Sequence, residues 1–298
     1  NNTQTHAVTT NVDNVHKTYS PQLSSMSTTL SMKYKHKKVS SASTLQIPQD
    51  KHEECSDVQH CKEFDLIFSN SINHLKKIKR NNNTKTLKQM KKLILVRHGQ
   101  SEWNLKNLFT GWTDVDLTEQ GIEEALKAGK TIKEEGLKPE VCFTSYLKRA
   151  IKTLNNILDA MDMDYLPVEK SWRLNEKSYG DLQGKNKAEA TEKFGEAQVK
   201  LWRRSFDVQA PALDPADERS PYTDERYAAV DRNELPLTES LQDCINRLMP
   251  FYTNNILKAF ETHDTVLVVA HGNSLRGIVK TLTHMPNEEI IEFNIPTG

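Results

Sequence analysis

Two short apolar runs, far apart in the chain, stop at the same kind of polar string. Leu93–Val96 is followed by Arg97 and then His98-Gly99-Gln100-Ser101, and Val266–Ala270 is followed by His271-Gly272-Asn273-Ser274. An apolar run of this length without polar alternation reads as a strand buried on both faces, which is the setting of a parallel sheet covered by helices. Loops at the carboxyl ends of neighbouring parallel strands open on one crevice. The two histidines can therefore meet although 173 positions separate them. A single His-Gly after a strand is usually a hydrogen-bonded loop residue, but its duplication, with Arg beside the first copy, favours a shared reactive site. Glycine at that position lets the backbone approach a ligand or adopt positive φ, and it leaves the imidazole unobstructed.

The remainder from Met90 onward supports that frame. Strand and helix signals alternate, as in βαβ units, so the expected fold class is α/β with a mostly parallel sheet and helices on both faces. Thr118 caps a predicted helix running to about residue 135, which ends at Gly136 and Pro139. Residues 141–144 read as the second strand, and Ser145 as the cap of a helix over 146–161 that carries Arg149 near its free amides, where an anion is favoured. Residues 165–169, with Pro167, suit an edge strand. A long excursion over 171–236 follows, with short helices around Ala188 and Val199; it is read as a lid that brings cations over the crevice, the alternative being an ordinary decorative subdomain. A helix over 239–260, the strand ending at Ala270, a helix over 274–283 and a final helical turn after Pro286 complete the pattern. Ala128-Gly129-Lys130-Thr131 brushes a phosphate-loop signature, yet Glu124 stands where its first glycine is required and the segment is mid-helix, so no nucleotide site is assigned there.

Composition narrows the function classes. The net charge is +0, but residues 1–89 carry 13 Lys/Arg against 7 Asp/Glu, leaving 27 against 33 for residues 90–298. An acidic catalytic segment argues against nucleic acid as a partner. No apolar run is long enough to span a membrane, so a soluble, cytoplasmic protein is expected. The cysteines at 55, 61, 142 and 244 form no paired framework, which suits a reducing compartment. His52, Cys55, His60 and Cys61 do not have tetrahedral spacing, and no metal is assigned. Residues 1–89 are rich in Ser, Thr, Asn and Lys and are expected to be a disordered or dispensable leader, with one amphipathic helix over 64–78 and Met90 as the native start. The Lys33–Lys38 cluster is the one feature of an organelle address, but no Arg precedes Arg80 and no hydrophobic signal core is present.

At the presumed crevice, His98, His271, Arg97, Arg149 and Asn104 meet one carboxylate, Glu176, with Lys187, Arg203 and Arg204 further out. Cations outnumber anions, which suits a small substrate carrying phosphate and carboxylate. Neighbouring cations keep an imidazole neutral and able to attack phosphorus, while the second imidazole donates to the phosphoryl oxygens. A carboxylate beside the phosphate can give a proton to the leaving hydroxyl and take it back. The arginines supply positive charge, so no metal is called for. Because no Gly-x-Ser-x-Gly elbow is present, Ser101 and Ser274 read as caps rather than nucleophiles.

The string Leu95-Val-Arg-His-Gly-Gln-Ser-Glu-Trp-Asn104 resembles the signature of the histidine phosphatase superfamily. Phe109-Thr-Gly-Trp, Thr144-Ser-Tyr-Leu-Lys-Arg-Ala, Leu174-Asn-Glu, Tyr179-Gly, Trp202-Arg-Arg and Ala270-His-Gly-Asn-Ser-Leu-Arg are similar to the cofactor-dependent phosphoglycerate mutases within it. The resemblance covers residues 92–298. It implies interconversion of 3- and 2-phosphoglycerate primed by 2,3-bisphosphoglycerate, with His98 as nucleophile, Glu176 as proton donor and acceptor, and His271, Arg97 and Arg149 as phosphate cradle. It further implies substrate contacts from Asn104, Thr110, Gly111, Tyr179, Lys187, Arg203, Arg204, Gly272 and Asn273, and assembly as a dimer or tetramer. Bisphosphoglycerate mutase, a phosphatase of the same superfamily and a catalytically silent binding protein are the alternatives. Two departures stand out. Lys177-Ser178 replaces Arg-His of the family, predicting weaker substrate binding through loss of a bidentate contact. The family also continues past Pro-Thr-Gly with further strands and a tail, so the sheet is expected to lack its C-terminal strands, leaving the first strand at an edge and raising phosphatase leakage.

Overall fold

The computed structural model describes residues 8–11, 43–44 and 91–297. The expected helix over 64–78, the His52/Cys55/His60/Cys61 group and Met90 lie outside the described residues. The chain order is β1 (Val8–Asn11), β2 (Ser43–Thr44), β3 (Lys92–Arg97), α1 (Glu102–Leu105), α2 (Glu119–Glu134), β4 (Val141–Thr144), α3 (Lys148–Met161) and β5 (Val168–Lys170). Helices α4 (Lys187–Phe194) and α5 (Glu196–Arg204) follow, then α6 (Leu241–Phe251), α7 (Leu257–Ala259), β6 (Thr265–Ala270), α8 (Gly272–Thr283) and α9 (Asn287–Glu292).

The strands form one sheet in the order β2-β1-β3-β6-β4-β5. Its centre, β3-β6-β4-β5, is parallel throughout, as the unbroken apolar runs predict. Alternate residues of each run enter different cores. Leu93, Leu95, Phe143, Val266 and Val268 pack with Ile245 and Leu248 of α6 and Leu275 and Ile278 of α8. Ile94, Val96, Cys142, Leu267 and Val269 pack on the other face with Ala128 and Ile132 of α2 and Leu154 and Ile157 of α3. The two-residue period of a strand thus gives each helix layer its own apolar surface.

Several expectations are corrected. β3 is not an edge: Val8–Asn11, within the segment expected to be disordered, pairs with it antiparallel. The edge strand on the other side runs over Val168–Lys170 instead of 165–169. Pro167 precedes it and contributes only its carbonyl, to Cys142 N at 2.9 Å, because proline has no N–H to offer. The helix predicted over 239–260 is interrupted. Ser240 caps α6, Pro250 lies inside it, and Tyr252–Ile256 widens to a π turn before α7, since proline removes one ladder hydrogen bond and its ring presses on the preceding turn. Ser145 is not a side-chain cap at the first residue of its helix. Leu147 is the N-cap of α3 and has no side-chain cap, and the Ser145 hydroxyl accepts from Leu147 N at 3.1 Å.

The long excursion after β5 builds two small cores of its own. Phe109, Leu182, Val199, Trp202 and Ala210 pack beneath α4 and α5, and Trp112, Trp172, Tyr227 and Leu235 form the other. Lys187 starts α4, and Arg203 and Arg204 end α5.

Candidate active site

The register of β3 on β6 brings the histidines together. Arg97 pairs with Ala270, so His98 and His271 are each the next residue along neighbouring parallel strands, about 4.8 Å apart by strand spacing. Their ring centroids lie 5.0 Å apart, tilted at 58°. His98 N donates to Ala270 O at 3.0 Å, continuing the ladder one step past the strand ends.

The glycines that follow have different uses. A Cβ on Gly99 would stand 2.2 Å from the carbonyl oxygen of Gly121, so this glycine allows β3 to abut the start of α2 and does not itself admit a ligand. Gly272 faces the cleft, where a Cβ would lie 3.4 Å from Arg97 Nε and 3.7 Å from Glu176 Oε2.

His98 Nδ1 lies 2.7 Å from Gly99 O. A carbonyl only accepts, so Nδ1 carries the proton and Nε2 keeps its lone pair. His98 is held well below the ordinary imidazole range, first by burial and then by Arg149 and Arg97. His271 is lowered for the same first reason, with Arg149, His98 and Arg97 adding to it. Both rings are therefore neutral at pH 7.

Arg149, 1% exposed, reaches back from the start of α3 and donates to Thr113 O at 2.9 Å and to Gly111 O at 2.8 Å. Burial lowers it to about 10, so it stays a cation at neutral pH. Thr153, one turn further along α3, accepts from Gly99 N at 3.1 Å and fixes the loop that carries His98. Arg97 Nη1 donates to Ile295 O at 2.7 Å. Its Nε and His271 Nδ1 are buried with no hydrogen-bond partner among the described residues, the state expected of groups that meet a ligand.

Glu176 Oε1 accepts from Lys177 N at 2.8 Å and from Asn273 N at 3.0 Å. The segment that carries it is fixed by buried Arg247, which donates to the carbonyls of Trp172, Arg173, Asn175 and Glu176. Arg247 is itself paired with buried Glu239, Nε to Oε1 at 2.6 Å.

A cleft of about 690 Å³, open to solvent at its mouth, is lined by Arg97, His98, Asn104, Thr110, Gly111, Arg149, Glu176, Tyr179, Lys187, Arg203, Arg204, Gly272 and Asn273. Every site residue read from the sequence is in that wall except His271, which is fully buried beside His98. Lys187 donates to Leu108 O at 2.7 Å and is lowered to about 8, first by burial and then by Arg203 and Arg97. Asn104 accepts from Ser101 N and Oγ through Oδ1, which leaves its amide N–H groups for the cleft.

Sequence reasoning missed Arg276 and Asn294, which also line the cleft. Arg276 Nη1 donates to Asn273 Oδ1 at 2.8 Å, and Asn273 Nδ2 donates to the Tyr179 hydroxyl at 3.2 Å. The spacing of three residues from Asn273, one helical turn, was the signal available for Arg276. Lys177 is a correction in the opposite sense. It is absent from the cleft wall, fully buried, and donates to Trp202 O at 2.7 Å beneath the Tyr179 ring. Burial lowers it to about 8. It is a strut under the lid helix α5, so the expected loss of a bidentate substrate contact has no basis at this residue.

The description "Histidine phosphatase superfamily (branch 1)" matches residues 93–230 and 213–298. The chain belongs to the histidine phosphatase superfamily. Similar members include proteins named 2,3-bisphosphoglycerate-dependent phosphoglycerate mutase from Porphyromonas gingivalis, 57% identical over 209 residues, and from Treponema denticola, 56% identical over 207. A third, from Bacteroides thetaiotaomicron, is named 2,3-bisphosphoglycerate-dependent phosphoglycerate mutase 2 and is 59% identical over 209 residues. In each case the match covers 70% of this chain and 84% of the relative. Among solved structures of the superfamily fold, a mycobacterial glucosyl-3-phosphoglycerate phosphatase aligns with a TM-score of 0.54 at 22% identity, covering 70% of this chain and 89% of that one. YhfR of Bacillus stearothermophilus aligns at 0.51 and 24% identity, covering 69% and 86%. These two show the fold alone.

Proposed function

We propose that the chain is a phosphoglycerate mutase, interconverting 3-phosphoglycerate and 2-phosphoglycerate by way of a phosphoryl group carried on His98. The observation that supports this most directly is the pairing of His98 with His271 at 5.0 Å, with Nε2 of His98 left as a lone pair in a cleft walled by cations.

In this reading Nε2 attacks phosphorus: an N–P bond forms and the bond from phosphorus to the sugar-acid oxygen breaks. Gly99 O holds the Nδ1 proton and stabilises the charge that the ring acquires. Arg97, Arg149 and His271 hold the phosphoryl oxygens, where charge stabilisation at a preorganised site has its largest effect. Glu176 protonates the departing oxygen and removes a proton from the hydroxyl that attacks on return. Lys187, Arg203 and Arg204 hold the carboxylate and any second phosphate further out. A bisphosphorylated glycerate supplies the phosphoryl group that first loads His98. The unpaired donors on Arg97 and His271, together with the outer cations, fit such a primer.

The test is conversion of 3- to 2-phosphoglycerate with and without 2,3-bisphosphoglycerate, beside phosphate release, for the native protein and His98→Ala. The expected result is priming by the bisphosphate and a loss of at least 10⁴-fold in the variant, the scale of removing a nucleophile. Phosphate release without isomerisation would overturn the reading in favour of a phosphatase.

A further inference from the structure

Ser145 is 0% exposed, lies between β4 and α3, and has no place in the chemistry described above. Its Oγ lies 2.7 Å from Nε2 of His271 and accepts from the backbone N–H of Leu147 at 3.1 Å. A hydroxyl has one proton to give. If His271 carried its proton on Nε2, the serine hydroxyl would accept from both sides and its own proton would be buried without an acceptor. If the hydroxyl donates to Nε2, each of these groups is satisfied, and the imidazole proton is placed on Nδ1, which makes no hydrogen bond among the described residues. A buried donor without a partner is costly unless a ligand meets it.

We infer that Ser145 is a positioning residue that sets the tautomer of His271, so that Nδ1–H is presented to the phosphoryl group transferred to His98. The chain of donors runs from the backbone at Leu147, through the hydroxyl, to the ring, and ends at the reacting group. Free imidazole has no comparable constraint on which nitrogen bears its proton. The hydroxyl does for His271 what the Gly99 carbonyl does for His98. Opposite partners, a donor in one case and an acceptor in the other, leave one ring with an outward lone pair and its neighbour with an outward N–H. Attack and oxyanion stabilisation need that asymmetry, and two identical imidazoles could not otherwise maintain it.

The inference rests on the mutase reading only for its kinetic arm. Native protein, Ser145→Ala and Ser145→Cys, each labelled with ¹⁵N in histidine, would be compared by two-bond proton–nitrogen NMR at pH 7.5, with His271→Asn assigning the signals. Native His271 is expected as the Nδ1–H tautomer, Ser145→Ala as a mixture, and Ser145→Cys, a weaker donor of similar size, in between. In parallel, kcat of Ser145→Ala should fall roughly 10- to 100-fold with little change in KM, less than the loss of a histidine and comparable to weakening one oxyanion donor. Vanadate, which adopts the geometry of the transferring phosphoryl group, should bind more weakly by a similar factor, whereas a purely structural role would alter the melting temperature and leave the tautomer ratio unmoved. An Nε2–H tautomer in the native protein, or native tautomer and vanadate affinity in Ser145→Ala, overturns the inference. If no preparation isomerises phosphoglycerate, the mutase reading fails, and the tautomer and vanadate measurements still decide the role of Ser145.

Discussion

Two imidazoles kept neutral by burial beside Arg97 and Arg149 tie the acid stability of the molecule to its reactive centre. Their folded-state affinity for protons is below that of free histidine, so below about pH 6.5 the unfolded chain binds more protons than the folded one. The stabilisation they give is present above that value and is lost as the pH falls, by up to ~1.4 kcal/mol per pH unit for each ring. Urea unfolding at pH 7.5 and 5.5 should show a larger drop for the native protein than for a His98→Asn, His271→Asn double variant, by roughly 2 kcal/mol. Parallel pH curves would show that the rings titrate normally. At this scale the sequence was legible where a side chain sits at a strand end, as His98, His271 and Arg97 do. It misled at Lys177: beside Glu176, which lines the cleft, Lys177 is fully buried and bonded to Trp202 O.

Among the elements, the segment from Trp172 to Glu176 has little regular structure of its own, only one 3-10 turn over Trp172–Leu174. Its shape depends on α6 through Arg247, whose guanidinium also lies 5.2 Å from the Trp112 ring. Removing Arg247 leaves Glu239 as an unpaired buried charge and takes a donor from four carbonyls, of which Trp172 O keeps Asn175 N and Glu176 O keeps Trp112 Nε1. Arg247→Met should therefore destabilise by about 3–5 kcal/mol, while Arg247→Met with Glu239→Gln should recover part of that loss. Denaturant unfolding of the three proteins measures the coupling, and additive effects would contradict it. The strands from β3 onward and most helices were legible from their apolar runs and periods. The Pro250 π turn and the cap of α3 were not, since both depend on local hydrogen bonding: a missing N–H in one case, and a serine drawn away by a histidine 126 positions distant in the other.

For the whole molecule, a formal net charge of +0 coexists with a cleft where Arg97, Arg149, Lys187, Arg203, Arg204 and Arg276 face one carboxylate. Attraction of an anionic substrate is thus local and open to screening. KM for phosphoglycerate should rise roughly 3- to 10-fold as potassium chloride is raised from about 20 to about 200 mM, with kcat changing less, because the Debye length shortens from roughly 20 Å to below 10 Å. An unchanged KM would mean that the cations act only by direct contact. The overall α/β plan was readable from the sequence, but Val8–Asn11 beside β3 was not, as nothing in its short Thr-rich run announces a partner 81 to 87 residues downstream. Since the two rings owe their closeness to a ladder between strands drawn from opposite ends of the catalytic region, turnover is a test of assembly as much as of chemistry. Neither half of a chain split in the lid would hold a competent pair. Co-refolding of the halves would regain activity only in molecules where Arg97 had found Ala270, and a slip of one step would leave a sheet that is intact to the eye and inert.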